Sequence, residues 1–264
     1  FDSEEDCASD LPQCAELAAT DETKRRQLQQ EYAKDSTNPK WKTTAEAAAE
    51  DCEDNLDTLI GLIKSNVSEA WSFNSALTAM QNGQPECLKQ ILPVMNLSET
   101  QTNCGECSNV QTGWRSGVQQ CDCGFTLVHY AAREEPEVLP MLHKAGANLS
   151  SADSNGLGVT PAHVAVIRNR WKSGQTWMDS LLKLHDLGAR LDMPDINGST
   201  PAHVACQELS ESTGKNVTDV LSEIHMSGGN MTLVDHEGRT PAHYCAAGKG
   251  NPKAIEFLYS LDPR

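Results

Sequence analysis

Between Thr43 and Ser65 the chain reads TTAEAAAEDCEDNLDTLIGLIKS. Its apolar positions, Ala45, Ala49, Cys52, Leu56, Leu59, Ile60 and Ile63, recur at the three- and four-residue intervals of one helix face. Thr43 and Glu46 stand at capping-box spacing at its start. A second apolar stripe, Cys14, Leu17, Ala18, Leu28 and Tyr32, predicts a helix from Asp10 to about Lys34, and KDSTNPK is the turn that joins the two into an antiparallel hairpin. From Ser68 the pattern predicts a helix, a break at Asn82-Gly83, a helix started by Pro85 and a polar exit.

The second half changes period. TPAHVA stands at Thr160 to Ala165 and again at Thr200 to Ala205, and TPAHYC at Thr240 to Cys245; a weaker copy, GFTLVHYAA, begins at Gly124 with Thr126 and His129 in register. Each phrase has the chemistry of a helix start. The Thr hydroxyl caps the orphan N–H groups of the first turn, and Pro brings the helical φ without an N–H to lose. The histidines, His129, His163, His203 and His243, fall one turn in, where the ring reaches back to the capping Thr126, Thr160, Thr200 or Thr240. A second apolar helix and a Gly stop follow in VLPMLHKAGAN, SLLKLHDLGAR and VLSEIHMSGGN, and turn-rich stretches such as DINGST and DHEGRT lead to the next start.

This unit resembles the ankyrin repeat, whose signature is Thr-Pro-Leu-His-x-Ala. The resemblance covers Gly124 to Leu261, about half the chain. It implies an all-α fold, an α-solenoid of stacked helix pairs with short β-hairpin tips, used for binding proteins. Three features depart from the family pattern: Ala replaces the consensus Leu at 162, 202 and 242, two units run forty residues, and the extra residues fall between the paired helices in RNRWKSGQTW and QELSESTGKN. The expected organisation is an acidic, disulfide-stabilised helical hairpin over 1–66, a degenerate repeat or cap with a Cys-rich loop over 67–123, and repeats over 124–264 starting near 124, 158, 198 and 238.

Composition places this fold in an unusual setting for its family. Six Asn-x-Ser/Thr sequons stand at Asn66, Asn96, Asn148, Asn197, Asn216 and Asn230, where chance gives roughly two, so N-linked glycans and a secreted location are expected. Ten cysteines agree with an oxidising compartment. Cys7, Cys14, Cys52, Cys87, Cys104, Cys107, Cys121 and Cys123 are the disulfide candidates. The C-x2-C-x13-C-x-C run between Cys104 and Cys123 also has spacing for zinc or, at C-x-x-C, for redox chemistry, and structural disulfides are the better reading. Cys206 and Cys245 lie in adjacent repeats, where a helix spacing of about 8–10 Å argues for buried thiols rather than a bridge.

The net charge is −16, and residues 1–60 carry sixteen acidic against six basic side chains, which opposes nucleic acid or anionic membrane as a partner. No apolar run is long enough to span a bilayer. The chain starts at Phe1 rather than Met, as a product does from which a targeting segment has been removed.

No catalytic constellation emerges. Stacked helices hold the four histidines about 8–10 Å apart, too far for one metal with ligands at roughly 2 Å. HEGRT lacks the second His of a zinc-protease helix, G-x-S-x-G is missing and GKGNPK is no phosphate loop. No cofactor or metal is expected. Trp171 and Trp177, between paired helices, are the best exposed-contact candidates among the tryptophans.

A solenoid closes its ends with polar units, yet the last helix, NPKAIEFLYSLDPR, is apolar on more than one side. Phe257, Tyr259 and Leu261 are therefore the candidate assembly residues. The sequence reads as a non-enzymatic extracellular glycoprotein whose protein partners are copies of itself, as a head-to-tail filament or matrix component; the alternative is a secreted binding module or toxin-like effector.

Overall fold

The protein is described by a computed structural model over residues 60, 69–100, 124–167, 178–209, 217–247 and 251–261. The acidic hairpin expected over 1–66, residue 60 apart, the Cys-rich loop, the first inter-helix extension with Trp171 and Trp177, and residues 210–216 of the second lie outside these residues. The chain divides into two compact units, Phe1–Gln101 and Thr102–Arg264.

In the first unit, α1 (Glu69–Gln81) packs on α2 (Pro85–Ile91). The break between them is where Asn82-Gly83 predicted it, with Gly83 at φ +67° in the left-handed region that Gly tolerates without Cβ strain. Phe73, Ala76, Met80, Leu88 and Ile91 form the buried seam, and a 3₁₀ turn, Leu92–Val94, leads to the polar exit.

The second unit is built of helix pairs: α3 (Leu127–Glu134) with α4 (Leu139–Lys144), α5 (Pro161–Ile167) with α6 (Met178–Asp186), α7 (Pro201–Glu208) with α8 (Val217–Met226), and α9 (Pro241–Ala247) with α10 (Pro252–Leu261). First helices stack in the order α3, α5, α7, α9, and second helices in the order α4, α6, α8, α10. Two layers result, each pair touching its neighbours in the series. The first layer closes on small residues, with Ala131, Ala165 and Ala205 at 0, 1 and 0 % exposure, so its backbones approach closely. The second layer contributes larger anchors at i, i+3 spacing: Leu139 and Leu142, Leu181 and Leu184, Leu221 and Ile224. Each such side chain stabilises the stack by about 2 kcal/mol on burial.

Second helices end where the Gly stops predicted. Gly146, Gly188 and Gly228 have φ of +96°, +78° and +84°, and the following N–H groups of Ala147, Ala189 and Gly229 donate back to Leu142, Leu184 and Ile224 carbonyls, a left-handed stop that satisfies the last turn.

Two expectations change. Among the described residues there is no β-strand, so the tips are turns rather than β-hairpins: across each runs one backbone bond, Asp153 N–H to Val159 (2.8 Å), Asp195 to Ser199 (2.8 Å) and Asp235 to Arg239 (2.9 Å), and in the last two a Gly198 or Gly238 N–H also donates to the Asp carbonyl at 2.9 Å, a tight turn rather than a ladder. And Cys206 and Cys245 form a disulfide, with Cα atoms 4.5 Å apart. Axis spacing was the wrong measure. Helices about 9 Å apart with Cα radii of about 2.3 Å leave roughly 4–5 Å between facing Cα atoms, within the span a disulfide needs. Cys206 is the sixth residue of α7 and Cys245 the fifth of α9, and that offset of one residue makes them face each other.

Candidate interaction face

The recurrent threonines and histidines are consumed inside the stack. The Thr126 N–H and hydroxyl meet His129 Nδ1 at 3.1 and 2.9 Å. Thr160 and His163 repeat this at 3.2 and 2.8 Å, and Thr200 and His203 at 3.0 and 2.9 Å. A backbone N–H is always a donor, so Nδ1 is the acceptor and the ring proton sits on Nε2. That proton is donated across the repeat boundary: His129 Nε2 to the Val159 carbonyl, His163 to Ser199 and His203 to Arg239, each 3.0 Å. In all three cases the acceptor immediately precedes the next capping Thr. One neutral imidazole thus ties a helix start to the start that follows it, and His129, His163 and His203 are all 0 % exposed.

Burial pushes His129 and His163 down to about 4, and His203 downward too, with the carbonyl partner opposing the shift in each case. A positive charge would be stranded in an apolar stack and would also remove the Nδ1 acceptor. The arrangement serves a single tautomer, and leaves no ring nitrogen of these three for a ligand.

The tips carry residues that sequence reading passed over. Asp195 Oδ1 accepts from the N–H groups of Asn197 and Ser199, and Asp235 Oδ1 from those of Glu237 and Arg239, all at 2.8–2.9 Å. Asp153 Oδ1 takes Val159 N–H at 2.7 Å. Burial raises Asp153 and Asp195 against these hydrogen bonds, and Asp153 Oδ2 has no hydrogen-bond partner among the described residues. At Asp235 burial pulls the same way, but the Arg239 backbone and side chain and the Tyr244 hydroxyl win and hold the carboxyl well below its ordinary range. The signal was present as an Asp five residues before Thr200 and Thr240.

Successive tips also lie on one another. Ser154 N–H donates to Gly124, Ile196 to Leu157 and His236 to Asn197, at 2.8–2.9 Å. A Cβ at Gly124, Gly158 or Gly198 would come within 2.6, 2.9 or 3.0 Å of the next tip's backbone. A side chain at any of the three would push the tips apart.

The last pair breaks the series. Thr240 and His243 keep their local bonds, at 3.1 and 2.8 Å, but His243 is exposed and its Nε2 has no hydrogen-bond partner among the described residues. By register from the capping Thr, Ala202, His203 and Cys206 are 1, 0 and 0 % exposed, whereas Ala242 is half-buried and His243 and Ala246 are exposed. Ala247 is exposed as well, and a Cβ at Gly238 would meet nothing within 4 Å. Helix and tip of the fourth pair therefore present the side that earlier pairs use to receive a neighbour.

The other candidate residues fall as follows. Phe257 is half-buried, edge-on to His225 with ring centroids 6.4 Å apart; Tyr259 is 61 % exposed; Leu261 is half-buried. Asn96, Asn148, Asn197 and Asn230 are all exposed. Three of them open local turns, accepting the N–H of Ser98, Ser150 and Thr232 at 3.1, 3.0 and 2.8 Å. Asn66 and Asn216 lie outside the described residues, as do all the cysteine candidates except Cys87, which is buried and disulfide-bonded. Among the described residues no helix is long and apolar enough to cross a membrane. Neither a protein-family model nor a curated protein matches the chain.

Proposed function

We propose that this chain is an ankyrin-type repeat protein that acts through protein contacts in an oxidising, extracellular setting, and that its partners are copies of itself joined head to tail. The observation that carries the reading is the fourth helix pair: three repeat boundaries are closed by the same buried histidine bond, and the fourth set of residues has the same register with His243 and Ala246 exposed and Ala242 half-buried. A face already shaped for stacking on a repeat is a surface for association, and a heterologous contact that does not close on itself extends into a filament.

The Cys206–Cys245 bridge and the exposed sequon asparagines support the extracellular setting. Glycans at Asn148 and Asn230, both just after a second helix, would line one edge of the stack and leave its end free. No enzymatic role is proposed, because the repeated polar side chains are engaged in holding the stack. The test is the mass distribution of the glycosylated chain against concentration: growing species support the reading, and a single monomeric species at every concentration removes it.

A further inference from the structure

The atoms of a repeat boundary are defined three times within the chain. In each, a following tip lies across a left-handed Gly, and the carbonyl ahead of a capping Thr receives the histidine Nε2 proton. The same half-site stands open at Gly238, Ala242, His243, Ala246 and Ala247. We infer that this α9 face, rather than the Phe257–Leu261 stripe, is where a second copy of the chain docks, laying backbone across Gly238 and accepting the His243 Nε2 proton at a carbonyl. The inference rests on the self-association reading above and names its surface.

Continuity with the internal boundaries sets the shape of the occupant. Small side chains at 242, 246 and 247 admit close backbone approach, as their counterparts do at Ala202 and Cys206. Charge selects a second copy over a basic foreign protein. With a net charge of −16 two copies meet with least repulsion on a surface free of carboxylates, and Gly238, Ala242, His243, Ala246 and Ala247 carry none. The carboxylates beside it, Asp235 and Glu237, are both held by Arg239, at 2.8 and 2.9 Å. The stripe on α10 is less suited: Phe257 is already packed against His225.

Sedimentation velocity over a concentration series, on the full glycosylated chain and on the variants Ala246→Arg, Ala247→Glu and Tyr259→Ser, tests this. Both alanines are exposed on the helix surface, and circular dichroism checks that each variant keeps its helix content. The inference expects the parent and Tyr259→Ser to assemble alike, and each folded α9 variant to remain monomeric over the same range. Assembly of either folded α9 variant at the parent's concentrations overturns the surface while leaving self-association standing. A parent that stays monomeric overturns both. A series that ends at a dimer keeps the α9 face but replaces the head-to-tail filament with a two-fold contact.

Discussion

Acid should loosen the stack well above the pH at which carboxylates titrate. His129 and His163 are held at about 4 in the folded chain against an ordinary 6.5. Above pH 6.5 both states are neutral at these sites and their contribution to stability is fully present. As pH falls below 6.5 the unfolded chain takes up protons that the folded chain refuses, so stability falls continuously until the folded value near 4 is reached. At pH 5 the linkage amounts to about 2 kcal/mol per histidine, or about 4 kcal/mol for the pair. His203 is shifted in the same direction and adds to the loss. Asp153 and Asp195, raised by burial, bind protons more readily folded than unfolded and oppose the trend toward the carboxylate range. Urea unfolding followed by circular dichroism at pH 7, 6 and 5 measures the effect as a falling midpoint at constant slope. His163→Gln, compared with its own pH 7 value, should lose about half of the pair's pH dependence. A midpoint that is flat from pH 7 to 5 would refute the neutral, single-tautomer ladder.

Thr200→Ala removes a buried cap and should lower stability by about 1 kcal/mol, read from the urea midpoint at pH 7. Replacing both Cys206 and Cys245 by Ser opens a loop of sequence separation 39 and should cost about 4 kcal/mol by loop-closure entropy, with helix content retained at neutral pH. Gly198→Ala and Gly238→Ala share a positive φ, but only the first meets a neighbouring tip; the first should destabilise more, and equal melting shifts would contradict tip stacking. Enzymatic glycan removal in heavy water should mark Asn96, Asn148 and Asn230 by mass, and unmodified asparagines at all three would remove the secretory reading.

The repeat itself was legible because capping is local. Thr, Pro and His lie within four residues, so their spacing alone predicted the starts of α5, α7 and α9 and the ring's return to the Thr. What the ring does with its other nitrogen was not legible, since the acceptor lies 30 or 36 residues away and is a backbone carbonyl that any residue could supply. The tip aspartates were missed for a related reason: Asp in a turn is common, and only stacking makes Asp195 and Asp235 buried. β-Hairpin tips were an inheritance from the family resemblance; here Asp side chains take the N–H groups that a ladder would use. The Cys206–Cys245 bridge was misread because mean helix spacing hides how near two facing Cα atoms come. Phe257, named from its apolar character, turned out to have a partner in His225, while the plainer Ala242, His243 and Ala246 gave no hydrophobic signal and became notable only beside their buried counterparts.

Electron microscopy of the native glycosylated protein bears most directly on end-to-end association. The account predicts unbranched chains of particles in which successive copies meet at the α9 face of one neighbour, and which disperse into single folded particles on Ala246→Arg. Single particles at every concentration, with His243 open to solvent in each, would contradict it.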